Sequence, residues 1–446
     1  MKYTFPAGFY GDVRIEDVSE TMIQATLGTF DEMKERSYRA AFVRLFDGNV
    51  WYYASTTDES SIQSEIARLA ALGTANPDIE KNPVVRLLET NTGESLRFQD
   101  VDVQKIPFEK KIDLLKSYYS LIDGQKYVGV WRANYVDQRK TKSFISSKGA
   151  DLIFDTQRTG FRVGFELSAG EKKFRGRYDF AHDGFDSLDG KQSFLKENYH
   201  QAADFLKTSK NVEPGEYPVI LSPMAAGVFA HESFGHKSEA DFMIGDETMK
   251  AEWQIGKKVG ARLLSIVEDG QKPGAGYVPY DDEGTRAREN FLIKEGELAG
   301  RLHSSTTAAS LGEGLTGNAR SKDFEFEPIV RMTTTYIKEG TDTLDDLIAG
   351  IGTGVLVETI NHGSGMSTFT MAPSLSYMIR NGKKAEPVRV SVVSGDVFTA
   401  LSDIDGLSDT VELLSFILGG CGKMEQSPLP VGFGGPWVRV KKLTVR

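Results

Sequence analysis

The sequence predicts an α+β fold in two parts: an N-terminal α/β domain (residues 1–210) with a mixed or antiparallel sheet and helices, and a sheet-rich C-terminal domain (residues 211–446) with a curved or barrel-like sheet. Three observations predict it. The chain has 446 residues, well above the ~100–200 typical of one domain. Its first half interleaves alternating, strand-like segments with a few stretches of helical period. Its 45 glycines crowd toward the second half, where they signal many turns and close backbone approaches.

The first strands are expected at residues 10–16 and 41–54, the latter turning at Asp47-Gly48-Asn49. Ile62, Ile66, Leu69 and Leu72 mark one face of a helix over about 60–72. A second helix is expected over about 107–122, with Pro107 suited to its first turn. Residues 126–182 read as a meander of strands at 127–135, 142–147, 151–155, 160–167 and 172–179, closed by a helix near 191–208. The polar run 209–218, with Pro214, Gly215 and Pro218, is the best domain boundary. Beyond it come a strand at 219–221 and a helix opening at Ser222-Pro223, a capping hydroxyl followed by a first-turn proline. Hairpins are expected around Glu295-Gly296 (291–294 with 298–303) and Asn381-Gly382 (376–379 with 388–393), with a helix over about 344–350 between them.

Composition narrows the function. Hydrophobic residues make up 40% and charged residues 26%, ordinary for a soluble globular chain. A net charge of −10 lacks the basic footprint of a nucleic-acid binder. The N-terminal Met1–Pro6 stretch carries no apolar core of signal-peptide length, and the apolar run 224–230 falls far short of the ~18 residues of a membrane span. A single cysteine forbids an intrachain disulfide and fits a reducing compartment. The expected location is the cytoplasm.

The helix after Pro223 carries His231-Glu232-x-x-x-His236. A His-Glu-x-x-His helix puts two imidazoles on one face to bind zinc, with the glutamate as general base. Here one residue is added, and on an ideal helix the second imidazole would point roughly 140° away from the first. Both can ligate one ion only if a π-bulge absorbs the extra residue or the helix ends so that His236 lies just past it. Gly235 eases either distortion through its backbone freedom. With six histidines in the chain, roughly 0.006 chance matches are expected, so the motif is specific. The bland alternative is a buried helix with two satisfied histidines. For a third ligand the residues leave His182, His200, His303, His362 and Cys421 open. Cys421 is a soft anionic donor flanked by Gly419, Gly420 and Gly422, although a lone cysteine is commonly an inert core residue.

His231-Glu232-x-x-x-His236-x-x-Glu239 together with Cys421-Gly422-Lys423 resembles the TldD/PmbA family, the "modulator of gyrase" metallopeptidases. Further stretches look like that family along nearly the whole chain, among them Asp281–Thr285, Thr316-Gly317-Asn318, Arg331–Ile337 and Pro436–Val440. Ser233 stands where alanine is usual, and Met424-Glu425-Gln426 follows the cysteine where Gly-Gln is common. Because this chain keeps both histidines, the glutamate and the cysteine, the resemblance implies a catalytic, TldD-like member. Zinc would then be held by His231, His236 and Cys421, with Glu232 as general base on a water molecule. Glu239 is a candidate acceptor for an imidazole N–H, and His303 a candidate oxyanion stabiliser. The implied substrate is a short or unfolded peptide, and the implied assembly a homodimer or a heterodimer with a non-catalytic paralogue. No nucleic acid or membrane is expected as partner. Two other readings are open: a non-catalytic peptide-binding or regulatory subunit with a structural metal, and a metal-dependent amidase acting on small molecules.

Overall fold

The structure, a computed structural model, describes residues 3–365 and 367–446. Met1 and Lys2, part of the stretch read for an export signal, and Met366 lie outside the described residues. The architecture is α+β and rich in sheet.

Residues 10–182 build one sheet from long strands: β1 (Tyr10–Thr26), β2 (Thr29–Phe46), β3 (Trp51–Thr56), β4 (Thr92–Ser95), β5 (Val128–Ser146), β6 (Asp151–Ala169) and β7 (Lys172–His182). Their order is β3-β2-β1-β5-β6-β4, with β7 on β6 as well; β4 alone runs parallel to its neighbour. The strands are much longer than the sequence predicts. What reads as two strands on either side of residue 138 is one 19-residue strand, β5. Its middle looks like a loop because it is charged, yet Asp137, Arg139 and Lys140 are buried. They pair there with Lys111 (2.7 Å), Asp155 (2.7 Å) and Glu16 (3.0 Å), respectively. Buried charges need such partners, and a partner lies outside the view of a local pattern. The far half of β2 escapes the pattern for the opposite reason. Residues 29–37 are mostly exposed, so no apolar face alternates.

Helix Ile62–Ala70 buries Ile62, Ile66 and Leu69 among Val13, Ile15, Val43 and Leu45. Helices Phe108–Tyr119 and Gln192–Thr208 place Leu115, Tyr118, Leu195 and Tyr199 in a separate core with Trp131, Tyr135 and Phe161. Pro107 occupies the cap position and not the first turn.

In the second half, strands Gly215–Leu221, Thr353–Gly365, Thr368–Arg380, Val393–Asp396 and Val438–Val445 pair in a closed ring of five. The Asn381-Gly382 turn has both residues at positive φ (50° and 72°), the geometry that suits a tight hairpin. The return strand is Lys383–Arg389, earlier than its apolar residues suggest, because its first residues are polar and lie at the sheet's edge. Around Glu295-Gly296 the return arm is only Glu297–Leu298. Leu302 instead bridges to Glu239. A second sheet of six strands runs in the order 297–298, 289–294, 266–269, 334–337, 432–435, 412–414.

Helix Pro223–Phe229 lies between this sheet and the barrel. Phe229 packs on Phe369 of the barrel with ring centroids 4.7 Å apart. On the other side a Cβ at Gly227 would stand 2.4 Å from the Gly434 backbone nitrogen, so only glycine allows the approach. Among the described residues, no strand of 10–182 pairs with a strand beyond 209. We keep the division at 210/211 as a proposal. Buried ion pairs join the two halves, Arg44 with Glu283 at 3.1 Å and Lys142 with Asp282.

Candidate metal centre

Ser222 caps the central helix by accepting from the Ala225 N–H, and Pro223 occupies its first turn. The α-helix ends at Phe229, and Ala230–Gly235 form a π-helical turn followed by a 3₁₀ turn at His236–Ser238. The wider turn absorbs the added residue and returns His236 to the side of His231. The two rings are 5.2 Å apart, centre to centre, and nearly perpendicular at 81°. Gly235 serves this turn differently from the expectation. Its φ of −56° and ψ of −52° suit any residue. What favours glycine is space, since a Cβ there would meet Met332 Sδ at 2.2 Å and force that side chain to move.

Cys421 arrives on a short hairpin, Cys421–Lys423 with Gln426–Leu429. Gly419 and Gly420 lead into it at φ of 97° and 153°, and a Cβ at Gly420 would lie 2.3 Å from the Leu429 carbonyl oxygen. Arg331, wholly buried, donates to the Cys421 carbonyl at 2.8 Å and to the Gln426 carbonyl at 3.0 Å, fixing the hairpin. Ligand atoms of His231, His236 and Cys421 thereby lie within 4.8 Å of one another.

The donor set fits a zinc ion. Around a tetrahedral zinc, sulfur at about 2.3 Å and nitrogen at about 2.0–2.1 Å stand about 3.6 Å apart. Cys421 Sγ is 3.5 Å from His236 Nε2. His231 Nδ1 is buried with no hydrogen-bond partner among the described residues. The protein field also favours the thiolate. Burial pushes the Cys421 thiol up, but His231 and His236 outweigh it and bring it down to about 5. Burial likewise opposes charge on His236, and its bonds to Cys421 and Glu239 raise it to about 10. His231 is raised too, its burial outweighed by Cys421.

Glu239 is fully buried, and its Oε2 accepts from His236 Nδ1 at 3.0 Å. Such a carboxylate fixes the ring's orientation and leaves Nε2 free toward the sulfur. Glu232 is half-buried and lines a cavity of 240 Å³ together with His231, Cys421, His362, Arg177 and Phe433.

The other histidines lie elsewhere. His303 is not brought to this group: its ring is committed on both sides, Nδ1 to Thr307 Oγ1 at 3.1 Å and Nε2 to Glu313 at 2.8 Å. His182 pairs with Asp183 at 2.8 Å, and His200 meets the edge of Tyr199. His362 reaches the cavity wall without joining the ligand cluster.

Two residues of the site were missed. Lys423 Nζ stands 3.1 Å from Glu239 and donates to Asp241 at 2.6 and 2.7 Å. The signal for Lys423 was present, since residues two apart on a strand share a face and Cys421-Gly422-Lys423 has that spacing. No local signal marks Asp241.

Residues 214–446 match the PmbA/TldA metallopeptidase C-terminal domain, and residues 11–74 match domain 1 of the same metallopeptidases. A metalloprotease of Synechocystis is 30% identical over all of this chain and 96% of its own. A zinc metalloprotease TldD homologue of Saccharolobus solfataricus is 30% identical over 77% of each chain. In fold, the chain is similar to a Thermotoga maritima protein named as a modulator of a DNA gyrase (TM-score 0.77, 17% identity, 98% and 96% coverage). It is similarly close to TldE of Thermococcus kodakarensis (TM-score 0.75, 15% identity, 98% and 96% coverage).

Proposed function

The chain belongs to the PmbA/TldD metallopeptidase family, and we propose that it is a zinc-dependent peptidase in which His231, His236 and Cys421 hold the ion and Glu232 is the general base. The observation that carries this reading is the convergence of a buried thiol and two imidazoles within 4.8 Å, beside a half-buried carboxylate on an open cavity. A zinc ion held by His231, His236 and Cys421 would supply Lewis-acid chemistry, polarising a scissile carbonyl and acidifying water. Glu232 takes the proton from the attacking water on its carboxylate and delivers it to the leaving amine. Glu239 orients His236, and Lys423 holds Glu239 in place. A sheet-rich site with an open cavity suits an extended peptide bound mainly through its backbone, which is why the substrate class is short or unfolded peptides. The family resemblance adds a dimer, with itself or with a related non-catalytic chain, and sedimentation of the purified protein tests it. Among the described residues, no helix is long and apolar enough to cross a membrane. The cytoplasmic placement is part of the same proposal, supported by the single free cysteine.

The test is zinc content and hydrolysis of an unfolded peptide by the wild type and by Glu232→Gln. The variant should keep its zinc and lose about 10²- to 10⁴-fold in rate. Hydrolysis that survives with zinc bound would remove Glu232 from the mechanism. A zinc-loaded wild type that binds peptide without cleaving it would make the protein a binding subunit.

A further inference from the structure

Arg177 projects from β7, which with β6 brings the first sheet to the metal centre's cavity. It lines both that 240 Å³ cavity and an adjoining one of 440 Å³, and the two share Ile360 and Asn361 as well. A peptide whose chain runs from one cavity into the other must therefore pass its guanidinium.

The side chain is held but not neutralised. Its Nη2 donates to the Ile360 and Asn361 carbonyls at 3.4 and 3.2 Å, and its guanidinium lies 5.2 Å from the centre of the Phe416 ring. None of these partners carries a negative charge. Arg162, the other arginine on the cavity, differs. Its Nε donates to Asp179 at 2.5 Å and its Nη2 to the Leu418 carbonyl at 3.0 Å, so its charge is matched and it steadies the loop leading to Cys421. Asp179 also accepts from the Ile417 N–H at 3.1 Å, so it is already committed. Arg177 is thus a half-buried cation, fixed in place, with unused donors and no ion-pair partner among the described residues. A guanidinium so prepared matches the two oxygens of a carboxylate, and partial burial strengthens the bond by excluding water.

We propose that Arg177 is a specificity residue that recognises a carboxylate on the substrate, either a free C-terminus or an Asp or Glu side chain. The inference rests on the peptide-substrate reading above but not on cleavage. It makes the preferred substrates acidic or C-terminally free peptides, in a site whose backbone contacts are otherwise indifferent to sequence.

The experiment is calorimetric titration of the zinc-loaded full chain carrying Glu232→Gln, so that the probes are not consumed. The probes are an octapeptide without acidic residues as its free acid, the same peptide as its amide, and amides carrying one glutamate at successive positions. The acid, or one of the glutamate amides, should bind about tenfold tighter than the neutral amide. Which of them does so identifies the source of the carboxylate. With Arg177→Gln added, that ratio should fall to near one, and with Arg177→Lys part of it should remain. Equal affinities for all probes, a ratio that Arg177→Gln leaves intact, or no binding of any probe would overturn the proposal. Preferential binding with no cleavage by the zinc-loaded wild type would leave Arg177's role standing and overturn the peptidase reading instead.

Discussion

Lys423 Nζ stands 3.1 Å from Glu239 Oε2, the same oxygen that accepts from His236 Nδ1 at 3.0 Å. One buried cation, brought by the hairpin that carries Cys421, thus stabilises the carboxylate that orients an imidazole on the opposite element. The cysteine and its strand neighbour act on both sides of the centre at once.

Lys423→Met should therefore damage the site without touching a ligand. It leaves the buried Glu239 and the part-buried Asp241 without their cation, and the buried member alone sets a cost of up to about 3–5 kcal/mol by the usual penalty for breaking a buried pair. Zinc affinity should fall about 10- to 100-fold. Denaturant unfolding and competition with a chelator measure the two effects, and unchanged zinc affinity would show that Lys423 is irrelevant to the centre.

Gly235→Ala tests the packing account of the π turn. The added methyl meets Met332 Sδ, and overpacking of this kind costs about 1–3 kcal/mol. Because the backbone angles are ordinary, Met332→Ala should relieve much of that cost in the double variant. Additive losses in thermal melts would mean that backbone conformation, not space, requires the glycine.

Removing the metal should abolish hydrolysis, and zinc should restore it. The metal-free protein should also carry a reactive thiolate near neutral pH, since its neighbours hold Cys421 at about 5. Iodoacetamide at pH 6.5 should alkylate the chelated protein and spare the zinc-loaded one. Equal labelling of both would separate Cys421 from the metal.

Acid sensitivity should centre on Asp282, which faces Lys142 and Arg14 across the two halves of the chain. Burial raises its carboxyl, but the two cations outweigh burial and hold it far below the usual carboxylate range. The folded protein then binds fewer protons here than the unfolded chain, whose aspartates titrate near ~3.9. The stabilisation is complete above about pH 4 and fades as pH falls below it. Asp282→Asn should lower stability at neutral pH and flatten the acid limb of a stability-against-pH curve. A variant with the wild-type acid limb would remove this pair from the account.

The sequence by itself determined the motif helix and what its spacing demands. Ser222-Pro223 start it, His231 and His236 sit five residues apart, and a π-bulge was one of two ways to bring them together. Helices at 62–70, 108–119 and 192–208 were also legible, because an apolar stripe of helical period is a local property. The tertiary structure decided what local pattern cannot carry. Cys421 lies 185 positions from His236, and only the crossing of the barrel, the six-stranded sheet and the hairpin selects it over four histidines. The same holds for β5, whose charged middle reads as loop until its ion partners on other elements are in place. The physical reason is common to both. Backbone propensity and side-chain period act over a few residues, whereas pairing of buried charges and ligands is a long-range condition met only when separate elements pack together.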